Sequence, residues 1–266
     1  MPEPGRPRPV GGFAGLLRCD NPGVLELDGT NTWILAAPGA AECVVVDPGP
    51  AGHQAHLDAI AAVGPPVALV LISHGHGDHV GGVDELRDRV AAPVRAFAAE
   101  HCREAAALAD GETIEAAGLR IEVAHTPGHT VDSVSFLVTD GSERAALTGD
   151  TVLGTGTTIL DDRPDALAAY LTSLAKLASW SPARLLPGHG PEQPELATVV
   201  EQYRAHRLAR LEQLRRHLAE HGLDPGTADP RLVAEAVYTG LPAELLPAAT
   251  VSVRAQLAHL ARESRS

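Results

Sequence analysis

Three histidines and an aspartate lie within the six consecutive positions 74–79 of this 266-residue chain. The four residues are His74, His76, Asp78 and His79. Imidazole and carboxylate groups together suit zinc, and they also serve iron and manganese. Gly75 and Gly77 alternate with these side chains, and glycine permits backbone angles that other residues avoid. Because the apolar run 66–72 comes directly before, we predict a buried strand whose exit loop points enough ligands at one place for two divalent metals.

Four clustered ligands cannot complete the coordination shells of two metals, so further donors must come from the ends of other strands. Three glycine turns that follow apolar runs carry such a donor. They are Thr126-Pro127-Gly128-His129, Thr148-Gly149-Asp150 and Pro187-Gly188-His189. In each, an apolar strand ends, a glycine turns the chain, and a His or Asp projects. This shared plan predicts that His129, Asp150 and His189 join the first cluster.

The segments that must position these residues alternate between two patterns. The apolar runs predicted as strands are 32–36, 43–47, 67–72, 94–97, 119–124, 133–138, 145–148 and 184–186. The predicted helices between them are 53–63, 83–90, 98–109 and 165–179. Such alternation is typical of a layered α/β domain. After Pro194 the pattern is almost purely helical, with predicted helices 195–220, 231–238 and 251–263.

We therefore expect three parts in the chain. Residues 1–12 are rich in proline and predict a flexible N-terminal tail, 13–195 a catalytic α/β domain, and 196–266 a C-terminal helical appendage. No stretch approaches the twenty apolar residues that span a bilayer, and the start lacks an apolar signal core. The three cysteines have no paired spacing, which suits a reducing compartment. The sequence predicts a cytoplasmic protein without a membrane partner, either a monomer or a homodimer.

In their order along the chain, the cluster at 74–79 and the three later turns resemble the metallo-β-lactamase superfamily. The resemblance implies a four-layer αββα sandwich. It also implies two zinc ions in each chain, with iron or manganese as alternatives. One metal would be held by His74, His76 and His129, a second by Asp78, His79 and His189, and Asp150 would bridge both.

Further motifs narrow the resemblance. The segments 29–33 and 148–154 resemble a group of lactamase-like hydrolases with a C-terminal winged-helix-like appendage. One branch of that group cleaves single-stranded RNA as an endoribonuclease, and another acts on thioesters of acyl carriers. The chain ends without residues for a β wing, and its net charge of −13 opposes binding to a polyanion. We therefore favour the acyl substrate.

The resemblance implies a metal-dependent hydrolase in which a metal-bridging hydroxide cleaves an ester-like bond in a small or carrier-linked acyl substrate. Asp78 is the candidate catalytic residue, because its carboxylate could pass the hydroxide proton to the leaving group. Cleavage of single-stranded RNA stays open as an alternative, and so does a persulfide dioxygenase with one iron. Ligating imidazoles usually donate their second N–H to an oxygen. The candidates for that oxygen are Asp47, Thr130, Asp132 and Thr148, and for Asp47 a turn-forming role before Pro48 is equally open.

Overall fold

In the computed structural model, which describes residues 6–264, the strands form two sheets. The first sheet runs in chain order: β1 (Arg8–Val10), β2 (Ala14–Arg18), β3 (Asn31–Leu35), β4 (Cys43–Val46), β5 (Val67–Leu71) and β6 (Val94–Arg95). The second runs in reverse order: β11 (Arg184–Pro187), β10 (Arg144–Gly149), β9 (Val134–Thr139), β8 (Leu119–His125) and β7 (Thr113–Ala116). Most neighbours are antiparallel, while β4, β5 and β6 run parallel to one another, as do β10 and β11.

Helices cover the outer faces of both sheets. The helices of the described residues are α1 (Gln54–Ala61), α2 (Gly77–Val80), α3 (Val83–Arg87), α4 (Ala166–Ala178), α5 (Leu196–His221), α6 (Pro230–Val237) and α7 (Leu246–Glu263). Apolar side chains of α1 and α3 pack on the first sheet, and those of α4 pack on the second. The four-layer αββα sandwich predicted from the sequence is confirmed. None of the helices within the described residues is long and apolar enough to cross a lipid bilayer.

The alternation of side chains along each strand explains why the layers form. On β4, Val44 and Val46 point into the core between the two sheets, while Cys43 and Val45 belong to the cluster under α1 and α3. All four are at most 1% exposed. Successive strand residues face opposite sides, so a strand that is apolar throughout must be covered on both faces.

The C-terminal helices share one hydrophobic core with the second sheet. Leu211, Val233 and Val253 belong to the same buried cluster as Tyr170 of α4 and Leu185 of β11. Within residues 196–264 the structure contains helices and turns but no strand. The appendage is therefore packed tightly against the sandwich rather than held away from it.

Part of the predicted flexible tail is ordered. Arg8–Val10 forms the edge strand β1, and the Arg8 guanidinium makes two hydrogen bonds, of 2.7 and 2.8 Å, to the carboxylate of Glu192. Proline is compatible with an edge strand, because one side of that strand needs no donor. The prediction of a tail over 1–12 was wrong at these residues, and its first five lie outside the described part.

The helix predicted over 98–109 was also wrong. This segment holds only a short 3₁₀ turn at Ala99–His101. Beyond it, Arg103 exchanges two backbone hydrogen bonds with Val94, and the Leu108 N–H donates to the carbonyl of Ala96. These hydrogen bonds tie an irregular segment with bends to the region of β6. The helix propensity of its alanines is a weak preference, and pairing with the sheet overrides it.

Candidate metal centre

The seven predicted ligands meet at one end of the sandwich, where several strands finish. His74, His76, Asp78 and His79 follow β5, and the last two lie on the short helix α2. The other three predicted ligands, His129, Asp150 and His189, follow β8, β10 and β11. Neighbouring parallel strands end at the same edge of a sheet, which is why residues so distant in sequence converge.

Three imidazoles form the first triad. His74 Nε2 lies 3.1 Å from His76 Nδ1, and His129 Nε2 lies 3.0 Å from the same atom. Zinc–nitrogen bonds are about 2.0–2.1 Å long, so two ligand atoms of a tetrahedral site lie roughly 3.3 Å apart. The three nitrogen atoms therefore have nearly the spacing that a single metal ion imposes.

The second triad contains Asp78, His79 and His189. Asp78 Oδ2 lies 3.3 Å from His79 Nε2 and 3.1 Å from His189 Nε2, and the two nitrogen atoms are 3.2 Å apart. Each of the two groups of side chains could hold a metal ion. The residues that sequence analysis placed in two separate sites are thus brought together in those same two groups.

Asp150 lies between the triads. Its Oδ2 is 3.7 Å from His129 Nε2, on the first triad, and 3.3 Å from His189 Nε2, on the second. Its Oδ1 is buried, lies 3.5 Å from His79 Nε2, and accepts no hydrogen bond among the described residues. A buried carboxylate oxygen without a donor is costly. A cation at this position would satisfy it, so the donor set fits divalent metal ions.

Hydrogen bonds at Nδ1 leave Nε2 of two histidines of the second triad free to bind a metal. His79 Nδ1 donates to Asp47 Oδ2 over 2.9 Å, and His189 Nδ1 lies 3.2 Å from the carbonyl oxygen of Gly29. The first triad has equivalent supports. His74 Nδ1 contacts Ser73 Oγ at 3.0 Å, and His129 Nδ1 contacts the Ile159 carbonyl oxygen at 2.9 Å. Such partners fix the tautomer and the orientation of a ligating ring.

Of the oxygen partners predicted for the imidazoles, the structure places Asp47 in contact with a ligand. Thr130 Oγ1 instead contacts Ser133 at 2.7 Å, and Thr148 Oγ1 donates to the carbonyl of Val152. Asp132 lies beside the loop at Gly75 and not at a ligand nitrogen. Sequence reasoning missed Ser73, Gly29 and Ile159, because backbone carbonyls and a serine next to a ligand carry no distinctive signal.

The role predicted for the glycines was only partly right. Gly75 and Gly77 do not have positive φ angles, whereas Asp47 does, with φ of 55°. Gly75 is needed for close packing, since a Cβ there would stand 2.6 Å from His101 Nε2. Gly77 has open space around it.

Burial and neighbouring charges shift the pKa of several groups in the cluster. Burial lowers the pKa of His74 and of His129, which favours the neutral form of both rings. Burial would raise the pKa of Asp150, but His79 and His189 outweigh it and the pKa falls well below its ordinary value. The same carboxylate raises the pKa of His189 to about 9 against the effect of burial. A divalent cation would take over the positive charge that the carboxylates otherwise draw from imidazole.

The cluster forms part of the wall of a cavity of about 880 Å³ that extends to the C-terminal helices. Its far wall includes Leu241, Leu245 and Ala249, and loop residues 24–27 and Val131 form another part of the lining. Helix α5 contributes Arg207 to the lining, and the Nη2 atom of Arg207 donates a short hydrogen bond to the Thr158 carbonyl. The C-terminal helices therefore shape the space next to the candidate metals.

Known proteins resemble this chain in sequence and in fold. Residues 25–189 match the metallo-beta-lactamase superfamily. The beta-lactamase-like protein 2 homolog of Caenorhabditis elegans is 33% identical over 212 residues, which are 76% of this chain and 69% of that protein. The atrochrysone carboxyl ACP thioesterase of Aspergillus fumigatus is 32% identical over 241 residues, 85% of this chain and 73% of that protein.

Among solved structures, a beta-lactamase domain protein from Burkholderia ambifaria has a TM-score of 0.83 with 23% identity, and the match covers 99% of this chain and 90% of that one. This likeness concerns the fold. The match over residues 25–189 covers more than half of the chain, and it contains all seven of the residues that converge here. The chain therefore belongs to the metallo-β-lactamase superfamily, and it is an enzyme of the hydrolase class.

Proposed function

We propose that the protein is a dinuclear zinc hydrolase that cleaves acyl thioesters of small or carrier-linked molecules. The observation that carries the proposal is the pair of ligand triads with Asp150 between them. Two zinc ions so held would supply a water nucleophile of lowered pKa and an electrophile for the carbonyl oxygen. His74, His76 and His129 would hold one ion, and Asp78, His79 and His189 the other.

Asp78 is suited to move a proton in this reaction. Its side chain is 22% exposed and lines the cavity, whereas the Asp150 side chain is 11% exposed. Thr30 Oγ1 donates to Asp78 Oδ2 over 3.3 Å and helps to orient the carboxylate. We therefore assign Asp78 the transfer of a proton from the nucleophile to the leaving thiolate.

The surroundings of the site favour an acyl substrate over RNA. Val24, Leu25 and Val131 belong to the cavity lining and are 51–60% exposed. Apolar side chains on the far wall continue this surface inward. The chain has a net charge of −13, which repels a polyanion. Relatives of this chain are named thioesterases, and a cavity with apolar walls beside the candidate metal centre supports the same activity here.

The experiment that tests the proposal compares three substrate classes on one zinc-loaded preparation. These are a panel of acyl thioesters, a single-stranded RNA and a phosphodiester reporter, and the bound metal is counted by mass spectrometry. His76→Ala removes a ligand of the first triad, and His221→Ala, at the exposed end of α5, is the matched control.

We expect two zinc ions per chain and thioester hydrolysis that is lost in His76→Ala and after chelation but kept in His221→Ala. RNA cleavage with the same metal dependence would replace the proposal by an endoribonuclease. A single iron with consumption of oxygen would replace it by a dioxygenase, and no turnover of any substrate would refute the thioesterase assignment.

A further inference from the structure

Arg207 is a buried cation without a counter-ion among the residues that the structure describes. It lies on α5, is 3% exposed, and is the one arginine or lysine among the described residues that line the cavity. Within residues 6–264 no carboxylate forms an ion pair with it, and its Nε has no hydrogen-bond partner. Asp161 lines the same cavity but pairs with Arg163 at 3.2 Å. A buried charge is costly unless it is paired, and the arginine side chain stays protonated in proteins.

The contacts that Arg207 does make hold it in place without neutralising it. The short hydrogen bond to the Thr158 carbonyl uses Nη2, and the guanidinium carbon lies 5.2 Å from the centre of the Tyr170 ring. These contacts hold the guanidinium beside the cavity. A fixed planar guanidinium is the group that recognises a carboxylate through two parallel hydrogen bonds.

We infer that Arg207 binds a carboxylate on the acyl part of the substrate, so that the preferred substrate is a thioester of a dicarboxylic acid. The inference rests on the proposed thioesterase function and specifies its substrate. Thr158, whose carbonyl Arg207 contacts, also places its Oγ1 3.1 Å from His129 Nδ1. Arg207 therefore lies close to the reacting end of the cavity. That position fits the end of a short acyl chain, and the apolar wall fits the methylene groups between the two carbonyl carbons.

The test uses two substrates that differ only in charge. They are the N-acetylcysteamine monothioester of adipic acid and the same thioester with a terminal carboxamide, with succinyl and suberoyl pairs to vary the length. We expect the native protein to turn over the best acid about tenfold to a hundredfold more efficiently than its amide, mainly through KM. Arg207→Gln should bring this ratio close to one, and Arg207→Lys should keep part of it.

A purely structural role of Arg207, through Thr158 and His129, would lower turnover of acid and amide alike and leave their ratio unchanged. That result would overturn the inference, as would a native ratio near one at every length. Arg204→Gln is the matched control, because Arg204 lies one turn earlier on α5 and is exposed. It should behave as the native protein does.

Binding measured by calorimetry separates this inference from the proposed function. The probes are non-hydrolysable thioether analogues of the acid and the amide, in which a methylene group replaces the thioester carbonyl, and they are offered to the zinc-loaded protein. Tighter binding of the acid that depends on Arg207 supports the inference even if no thioester is hydrolysed. Equal binding of acid and amide, or a preference that Arg207→Gln retains, refutes it even if thioesters are hydrolysed.

Discussion

Replacement of Asp47 by asparagine should weaken metal binding without unfolding the protein. Asp47 is 2% exposed and accepts three hydrogen bonds, from Ser73 N at 2.7 Å, Ser73 Oγ at 2.6 Å and His79 Nδ1 at 2.9 Å. The last two reach Oδ2. Asparagine has the same shape and tolerates the φ of 55° at this position, so the backbone should keep its course. In asparagine, however, an NH2 group in place of Oδ2 could not accept the hydrogen bonds that Ser73 Oγ and His79 Nδ1 donate to that atom.

The magnitude follows from what Oδ2 supports. His79 is a candidate ligand of the second triad, and the Ser73 hydroxyl that Asp47 orients contacts His74 of the first. Loss of such a supporting partner typically costs 10-fold to 100-fold in metal affinity, which is about 1.4–2.7 kcal/mol. We expect the larger effect on the metal held by the second triad, since that contact is direct.

The assay is a zinc titration of metal-free protein against a chelating dye, with circular dichroism as the check on folding. Asp88→Asn, at an exposed aspartate after α3, is the control and should bind zinc as the native protein does. Zinc affinities within about threefold of native at both sites in a folded Asp47→Asn protein would refute the reasoning.

Three further changes test other parts of the structure. Burial lowers the pKa of His56 to about 4, so the neutral ring stabilises the fold fully above pH 6.5, and this stabilisation is lost as the pH falls toward 4. In denaturant titrations, the free energy of unfolding of the native protein should fall by about 3 kcal/mol more than that of His56→Gln over this pH range. Tyr203→Phe should cost about 1–3 kcal/mol by the same measurement, because the buried N–H of Leu153 loses the phenol oxygen 3.0 Å away. Gly128→Ala should lower the free energy of unfolding by about 1–3 kcal/mol in addition to the strain of an alanine at positive φ, because the new Cβ would stand 2.5 Å from Tyr170 Cβ. It should also lower thioester turnover.

Each of these changes has its own comparison. A difference in the free energy of unfolding between the native protein and His56→Gln that stays constant from pH 7 to pH 4 would contradict the reasoning on burial. Tyr238→Phe removes a hydroxyl from a partly exposed tyrosine and should change stability by less than about 0.5 kcal/mol. Gly141 also has a positive φ but open space around it, so Gly141→Ala should be the milder change, and equal losses at the two glycines would exclude the clash.

The local sequence pattern predicted the secondary structure correctly where the residues of a short segment determine its conformation. The apolar run at β5 predicted the strand, and the spacing of Leu167, Tyr170, Leu174 and Leu177 predicted α4, because a helix buries residues three and four apart. The alanines of 98–109 led to a wrong prediction of a helix, because hydrogen bonds to the region of β6 determine the conformation of that segment. The proline-rich start misled in the same way, because the partner that orders Arg8 is Glu192, far along the chain.

The sequence by itself determined which residues could bind metal, because His and Asp types after strand-ending turns are a chemical pattern that needs no coordinates. The grouping into triads came from a family resemblance. Only the tertiary structure decided the contacts that orient each ring, among them the carbonyls of Gly29 and Ile159. It also placed Arg207 beside the cavity with no carboxylate partner among residues 6–264. Those contacts join residues on different strands and helices, so they exist only once the two sheets and the C-terminal helices have packed together.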